Sequence, residues 1–120
     1  MIYFIADTHF NHENIIKYCN RPFSNSSEMN KYIIRQWNSI VNDEDIVYHL
    51  GDVGFGTNGD LKGIISSLNG TKILVRGNHD FKRGLNSWKD IGFKEVYKKQ
   101  LQLDKFMLTH SPIEVEKRIY

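Results

Sequence analysis

Four short polar clusters in this sequence carry the residue types that hold cations: Asp7-Thr8-His9, Gly51-Asp52, Gly77-Asn78-His79-Asp80 and Thr109-His110. Taken singly, an aspartate behind a strand is ordinarily a helix cap or turn former, and a lone histidine is a neutral hydrogen-bonded residue. Each cluster, however, follows a short apolar run, and loops that follow neighbouring strands of one sheet open onto a common edge. Two carboxylates, two or three imidazoles and a carboxamide crowded together are costly to desolvate unless positive charge lies between them. A pair of divalent cations supplies it. Mixed oxygen and nitrogen donors suit Mn²⁺, with Fe²⁺, Zn²⁺ and Ni²⁺ as alternatives, better than Ca²⁺; the single cysteine, Cys19, rules out a thiolate cage.

The elements that must position these clusters can be read from the apolar spacing. Ile2 to Ala6, Ile46 to Leu50 and Lys72 to Val75 are short β-branched or aromatic runs, each ending at one of the first three clusters. Between the first two, Met29, Ile33, Trp37, Ile40 and Val41 recur at helical spacing, and Ser26 or Ser27 is placed to cap that helix. A weaker helix from Leu61 to Leu68 stops at Asn69-Gly70, and another from Leu85 to Ile91 stops at Gly92. Glu95 to Lys98, Leu101 to Leu103 and Lys105 to Thr109 read as later strands, with Asp104-Lys105 as a tight turn. The expected fold is α/β: a largely parallel sheet with an antiparallel extension and flanking helices, in one domain over residues 1–120. The glycine-rich stretch Gly54 to Gly59 is expected to be a mobile loop and lacks the lysine and spacing of a phosphate-binding P-loop.

Composition narrows the setting. Hydrophobic residues are 40% and charged residues 25% of the chain, too apolar for a disordered segment. A net charge of +2 neither requires nor excludes nucleic acid, because the field that matters is local to a site. No apolar run approaches the length of a membrane span, and one cysteine makes no internal disulfide, so no membrane partner and a cytoplasmic location are expected.

In this order, the four clusters resemble the successive signature blocks of the calcineurin-like metallophosphoesterases, and the stretches Asp7 to Asn14 and Arg21-Pro22-Phe23 resemble a small bacterial and phage subgroup. The resemblance implies an αββα sandwich and a metal-dependent hydrolase acting on a phosphomonoester or phosphodiester through water activated by two metal ions. It implies that Asp7 and His9 bind the first metal, that Asp52 bridges both, and that Asn78 and His110 bind the second. His79 would serve as the catalytic acid beside the metals, with Asp80 orienting it. Asn11, His12, Arg21 and Arg76 become candidate substrate contacts, and the partner is a phosphate ester, with nucleotides and nucleic acids among the candidates.

One block of the pattern is not matched. The family usually closes with Gly-His-Xaa-His, and after His110 this sequence has Ser111-Pro112-Ile113 and a charged stretch, 114–118, without another histidine. The expectation is therefore a C-terminally shortened form of the fold, with each metal short of one protein ligand. His49, inside a predicted strand, is expected to be structural rather than a substitute. Two consequences follow: a noncatalytic metal- or nucleotide-binding module is the alternative function, and an exposed sheet edge invites a homodimer.

Overall fold

The computed structural model describes residues 1–110; Ser111-Pro112-Ile113 and residues 114–118 lie outside the described residues. In chain order the elements are β1 (Ile2–Ile5), α1 (Glu13–Tyr18), α2 (Ser26–Ile40), β2 (Ile46–His49), α3 (Asn58–Ser66), β3 (Thr71–Val75), a 3₁₀ turn (Asn78–Lys82), α4 (Leu85–Ile91), β4 (Glu95–Tyr97), β5 (Gln100–Leu103) and β6 (Phe106–Thr109). The architecture is α/β, a parallel sheet flanked by helices. Strands β1 to β4 lie in chain order, all parallel, and Ile5, His49, Leu74 and Val96 stand in one row across them.

Period-two alternation sorts the side chains. Tyr3 and Ile5 pack against a core built from Trp37, Val47, Leu61, Ile65, Leu74, Trp88 and Phe93, whereas Ile2 and Phe4 point the other way and are 50% and 54% exposed. Because the strands are parallel, the carboxyl ends of β1, β2 and β3 lie side by side, and the three polar loops leave the sheet at one edge.

The expected antiparallel extension forms, but as a separate two-stranded sheet: among the described residues β5 and β6 pair with each other through the Asp104-Lys105 turn and not with β4. Two helix starts also differ from expectation. The α2 N-cap is Asn25, whose side chain accepts from the Glu28 N–H at 2.9 Å, in place of Ser26 or Ser27. Helix α3 begins a turn before Leu61, because Thr57 and Asp60 form a reciprocal capping box. At the other end of α3, the buried Lys72 ammonium donates to the carbonyls of Ile65 and Leu68, ordinarily left bare at a helix terminus. No helix among the described residues is long and apolar enough to cross a membrane.

Candidate metal centre

The loop after β1 runs alongside the loop after β2, joined through main-chain bonds. Asp7 N–H donates to Gly51 O at 2.9 Å, His9 N–H to Asp52 O at 3.1 Å and Phe10 N–H to Val53 O at 2.9 Å. To make these bonds while aiming side chains at the sheet edge, Asp7, His9 and Asp52 take left-handed backbone angles, with φ of 57°, 48° and 57°. Such conformations cost about 1–3 kcal/mol each in a non-glycine residue and persist where the surroundings enforce them.

The third loop closes on the second where Gly51 meets Gly77. A Cβ on Gly51 would lie 2.5 Å from Gly77 N, and one on Gly77 would lie 2.7 Å from Asp52 Oδ1 and 2.9 Å from His110 Cγ. Only glycine on both sides lets the Asp52 carboxylate and the His110 ring stand against that backbone.

Asp52 is the centre of the resulting cluster. It is buried, and its Oδ2 lies 3.2 Å from His79 Nδ1, 3.3 Å from His110 Nε2 and 3.9 Å from His9 Nε2, while its Oδ1 accepts the His79 backbone N–H at 3.1 Å. His9 Nε2 is also 3.6 Å from Asp7 Oδ1. Two sets of three side chains have donor atoms mutually within 4.8 Å: His9, Asp52 and His79, and Asp7, Asp52 and His110. Asp52 belongs to both. Asn78 opens the 3₁₀ turn behind Gly77 and lines a cleft with His110.

His110 shows what the cluster fits. Its Nδ1 donates to Leu50 O at 2.8 Å, which turns Nε2 toward Asp52 Oδ2, 3.3 Å away. At that distance positive charge holds the two atoms together, either a proton on Nε2 or a metal ion that both bind. With a second carboxylate and two more imidazoles beside them, the donor set fits divalent metal ions.

Burial lowers the His9 pKa below the ordinary imidazole value, outweighing the Asp52 and Asp7 charges, so the ring is neutral and able to ligate. Burial alone would raise the Asp52 carboxyl, but the His79 N–H and the charges of the His110 and His79 rings prevail and hold it below the usual range. His12 is lowered by burial and by its proximity to His79.

Asp80 departs from the role expected of it. Instead of orienting the His79 ring, its two oxygens accept three backbone N–H groups, from Gly77 at 2.7 Å, Asp52 at 2.7 Å and Val53 at 3.0 Å. It ties the third loop to the second. The reason is position: on the 3₁₀ turn the Asp80 side chain is buried beneath the site, while His79 faces solvent.

His49, expected to be structural, is buried and uses both ring nitrogens. Gly51 N–H donates to Nδ1 at 3.1 Å, which leaves Nε2 to donate to Thr8 Oγ1 at 3.0 Å, and the Thr8 hydroxyl donates to Val53 O at 2.7 Å. The chain of bonds joins the first two loops, and burial pushes the ring pKa down to about 3.

The four candidate substrate contacts divide. His12 stands over the cluster, its ring 5.5 Å from that of His9, 6.4 Å from that of His79 and 4.3 Å from that of Phe55. Arg76 lines the cleft that holds Asn78 and His110. Arg21 and Asn11 make hydrogen bonds within the fold. Arg21 donates to Asp7 O at 2.7 Å and Thr8 O at 3.3 Å, while the Asn11 amide joins Asn30 to Phe55 O. The latter bond, together with Arg83 donating to Gly56 O and Asn58 Oδ1, tethers the stretch from Gly54 to Gly59 that the sequence presents as a mobile loop. Phe55 and Arg83 were not legible as site residues; a large aromatic directly behind Gly54 was the one available signal.

A parallel sheet with a carboxylate and imidazole cluster at its carboxyl edge defines an α/β protein with a candidate metal centre. The chain belongs to the calcineurin-like phosphoesterase family, whose family model matches residues 1–117. It is 48% identical over 114 residues to the uncharacterized protein MJ1445 of Methanocaldococcus jannaschii, covering 92% of this chain and 58% of that one. The Gene 66 protein of Mycobacterium phage L5 is 32% identical over 87 residues, 70% of this chain and 42% of that one. Among solved structures, the protein of unknown function AQ665 from Aquifex aeolicus superposes with a TM-score of 0.70 at 38% identity, covering 84% of this chain and 53% of that one. The chain thus spans about half the length of the curated relatives it matches.

Proposed function

We propose that this chain carries the metal-binding part of a phosphoesterase that hydrolyses a phosphomonoester or phosphodiester with two divalent ions, Mn²⁺ first among them. The observation that carries the reading is the convergence on Asp52 of two three-residue donor sets, His9, Asp52 and His79 and Asp7, Asp52 and His110, with His110 Nε2 3.3 Å from Asp52 Oδ2. When bound, the ions supply Lewis acidity toward water and toward the phosphate oxygens.

The chain's own groups do the rest. Asp7, His9, Asp52, Asn78 and His110 would hold the ions, with Asp52 common to both donor sets. His79, anchored at Nδ1 by Asp52 with half of its side chain accessible, uses Nε2 to deliver a proton to the departing oxygen. Asp80 and His49 keep the three loops in register, and Phe55 and His12 wall one side of the site against water. The same reading goes with a cytoplasmic setting, supported by the exposed free thiol of Cys19.

The test is hydrolysis of an aryl phosphodiester and an aryl phosphomonoester with Mn²⁺ by the wild type, Asp52→Asn and His79→Ala. Turnover in the wild type that falls at least about a hundredfold in both variants supports the proposal; equal background rates in all three refute it. A second reading, a metal- or nucleotide-binding module without turnover, is favoured by the ligand count. Among the described residues each candidate site gathers only three titratable donors, and His49 has no nitrogen to add. Thermal stabilisation by Mn²⁺ with no product formed would select it.

A further inference from the structure

A cleft of about 300 Å³ adjoins the metal cluster, sharing Asn78 and His110 with it. Arg76 and Phe81 line it from the third loop, and Lys99 and Gln100 from the start of the hairpin. Its described lining contains two cations and no carboxylate.

Arg76 is held in place before any ligand arrives. Its Cζ lies 4.7 Å over the Phe81 ring, its NH1 donates to Arg83 O at 2.8 Å, and its backbone N–H donates to Tyr97 O at 3.0 Å. Its Nε is buried with no hydrogen-bond partner among the described residues. Among those residues neither Arg76 nor Lys99 makes an ion pair. A part-buried guanidinium with one side-chain hydrogen bond and no counterion lacks the anion that would offset its desolvation. The planar fork of arginine matches phosphate oxygens, and an ammonium at the cleft mouth adds charge without imposing a geometry.

We propose that this cleft is a second phosphate subsite, so that the substrate carries a further phosphate group beside the one that reacts. The inference rests on the phosphoesterase reading for its choice of substrate and for the loaded metal, and its test reads binding rather than turnover. With the reacting phosphate at Asp52, the neighbouring phosphate lies between Arg76 and Lys99, and Asn78 and Gln100 offer amide donors to its remaining oxygens. A phosphate ester with a neutral alcohol or aryl arm leaves the two cations unsatisfied and binds more weakly. The substrate class is accordingly a compound with adjacent phosphates.

The experiment is isothermal titration of the Mn²⁺-loaded chain, after removal of free metal, with methylenediphosphonate and with methylphosphonate. Neither compound can be hydrolysed at phosphorus. The wild type is expected to bind the diphosphonate at least about tenfold more tightly, close to 1.4 kcal/mol. Arg76→Gln and Lys99→Gln should each remove most of that preference and leave methylphosphonate within about twofold. Lys99 is exposed, so Lys99→Gln decides the matter should Arg76→Gln fold poorly. Equal affinity for the two anions in the wild type, or an equal loss for both in Lys99→Gln, overturns the subsite. The outcome is separable from the parent reading: aryl phosphodiester hydrolysis without diphosphonate preference sinks the subsite alone, and preference without hydrolysis sinks the catalytic reading alone.

Discussion

The carboxylate of Asp80 accepts the backbone N–H of Asp52 at 2.7 Å, and the same oxygen accepts Gly77 N–H at 2.7 Å while the other takes Val53 N–H at 3.0 Å. Asp80 therefore works on the loops that carry the ligands rather than on the imidazole beside it. Asp80→Asn keeps the volume but presents an amide NH₂ to groups that are themselves donors. It is expected to cost about 2–4 kcal/mol in urea unfolding and to reduce the stabilisation gained from Mn²⁺. A change below about 0.5 kcal/mol would show that the three bonds do not hold the site together.

Gly77 is fixed by space rather than by backbone angle. A methyl group there meets Asp52 Oδ1 and the His110 ring within 3 Å, so both ligands must move. Gly77→Ala should fold, retain its far-ultraviolet circular dichroism, and bind Mn²⁺ at least about tenfold more weakly by titration calorimetry. Undiminished affinity would mean that the ligands are not constrained by this contact.

The His49 network sets a pH dependence of stability. Because the folded ring titrates at about 3 and the unfolded one near 6.5, the unfolded state binds the extra proton between these values. The stability contributed by the neutral ring is fully present above pH 6.5 and is lost as pH falls toward 3. The slope approaches 1.4 kcal/mol per pH unit, since protonated Nδ1 would face the Gly51 N–H as a second donor. Between pH 6.5 and 5, unfolding free energies of His49→Gln should show a flatter slope than the wild type by about that amount. Parallel slopes would contradict the assignment.

Strand β1 has one neighbour among the described strands, and Phe4 beside its free edge is 54% exposed. Unpaired edges flanked by apolar side chains recruit other strands. Sedimentation velocity is expected to show concentration-dependent dimerisation that Phe4→Lys suppresses. An equally monomeric wild type and variant at high concentration would remove β1 as an association surface.

Much of this arrangement was legible in the sequence. Apolar runs that stop at Asp7, Asp52 and Asn78 fix where strands end, and parallel strands leave their following loops no choice but a common edge. The Asp104-Lys105 turn was equally plain, with two polar residues between short apolar runs, and Asp104 adopts the left-handed φ of 55° that such a turn uses. Side-chain direction was the part that spacing could not supply. Asp80 is adjacent to His79 in sequence yet points beneath the site, and spacing did not show that Arg21 and Asn11 donate to main-chain carbonyls. Helix starts slipped for a related reason: Asn25, Ser26 and Ser27 are all good caps, and only the backbone geometry selects one.

The central claim is that Asp7, His9, Asp52, Asn78 and His110 meet around a pair of divalent ions. The direct measurement is the manganese content of the purified chain after Mn²⁺ loading and desalting, by elemental analysis, beside Asp52→Asn. The account predicts two ions per chain in the wild type and a loss of both when the shared carboxylate is neutralised. No bound metal in the wild type, or the same content in both proteins, would contradict it.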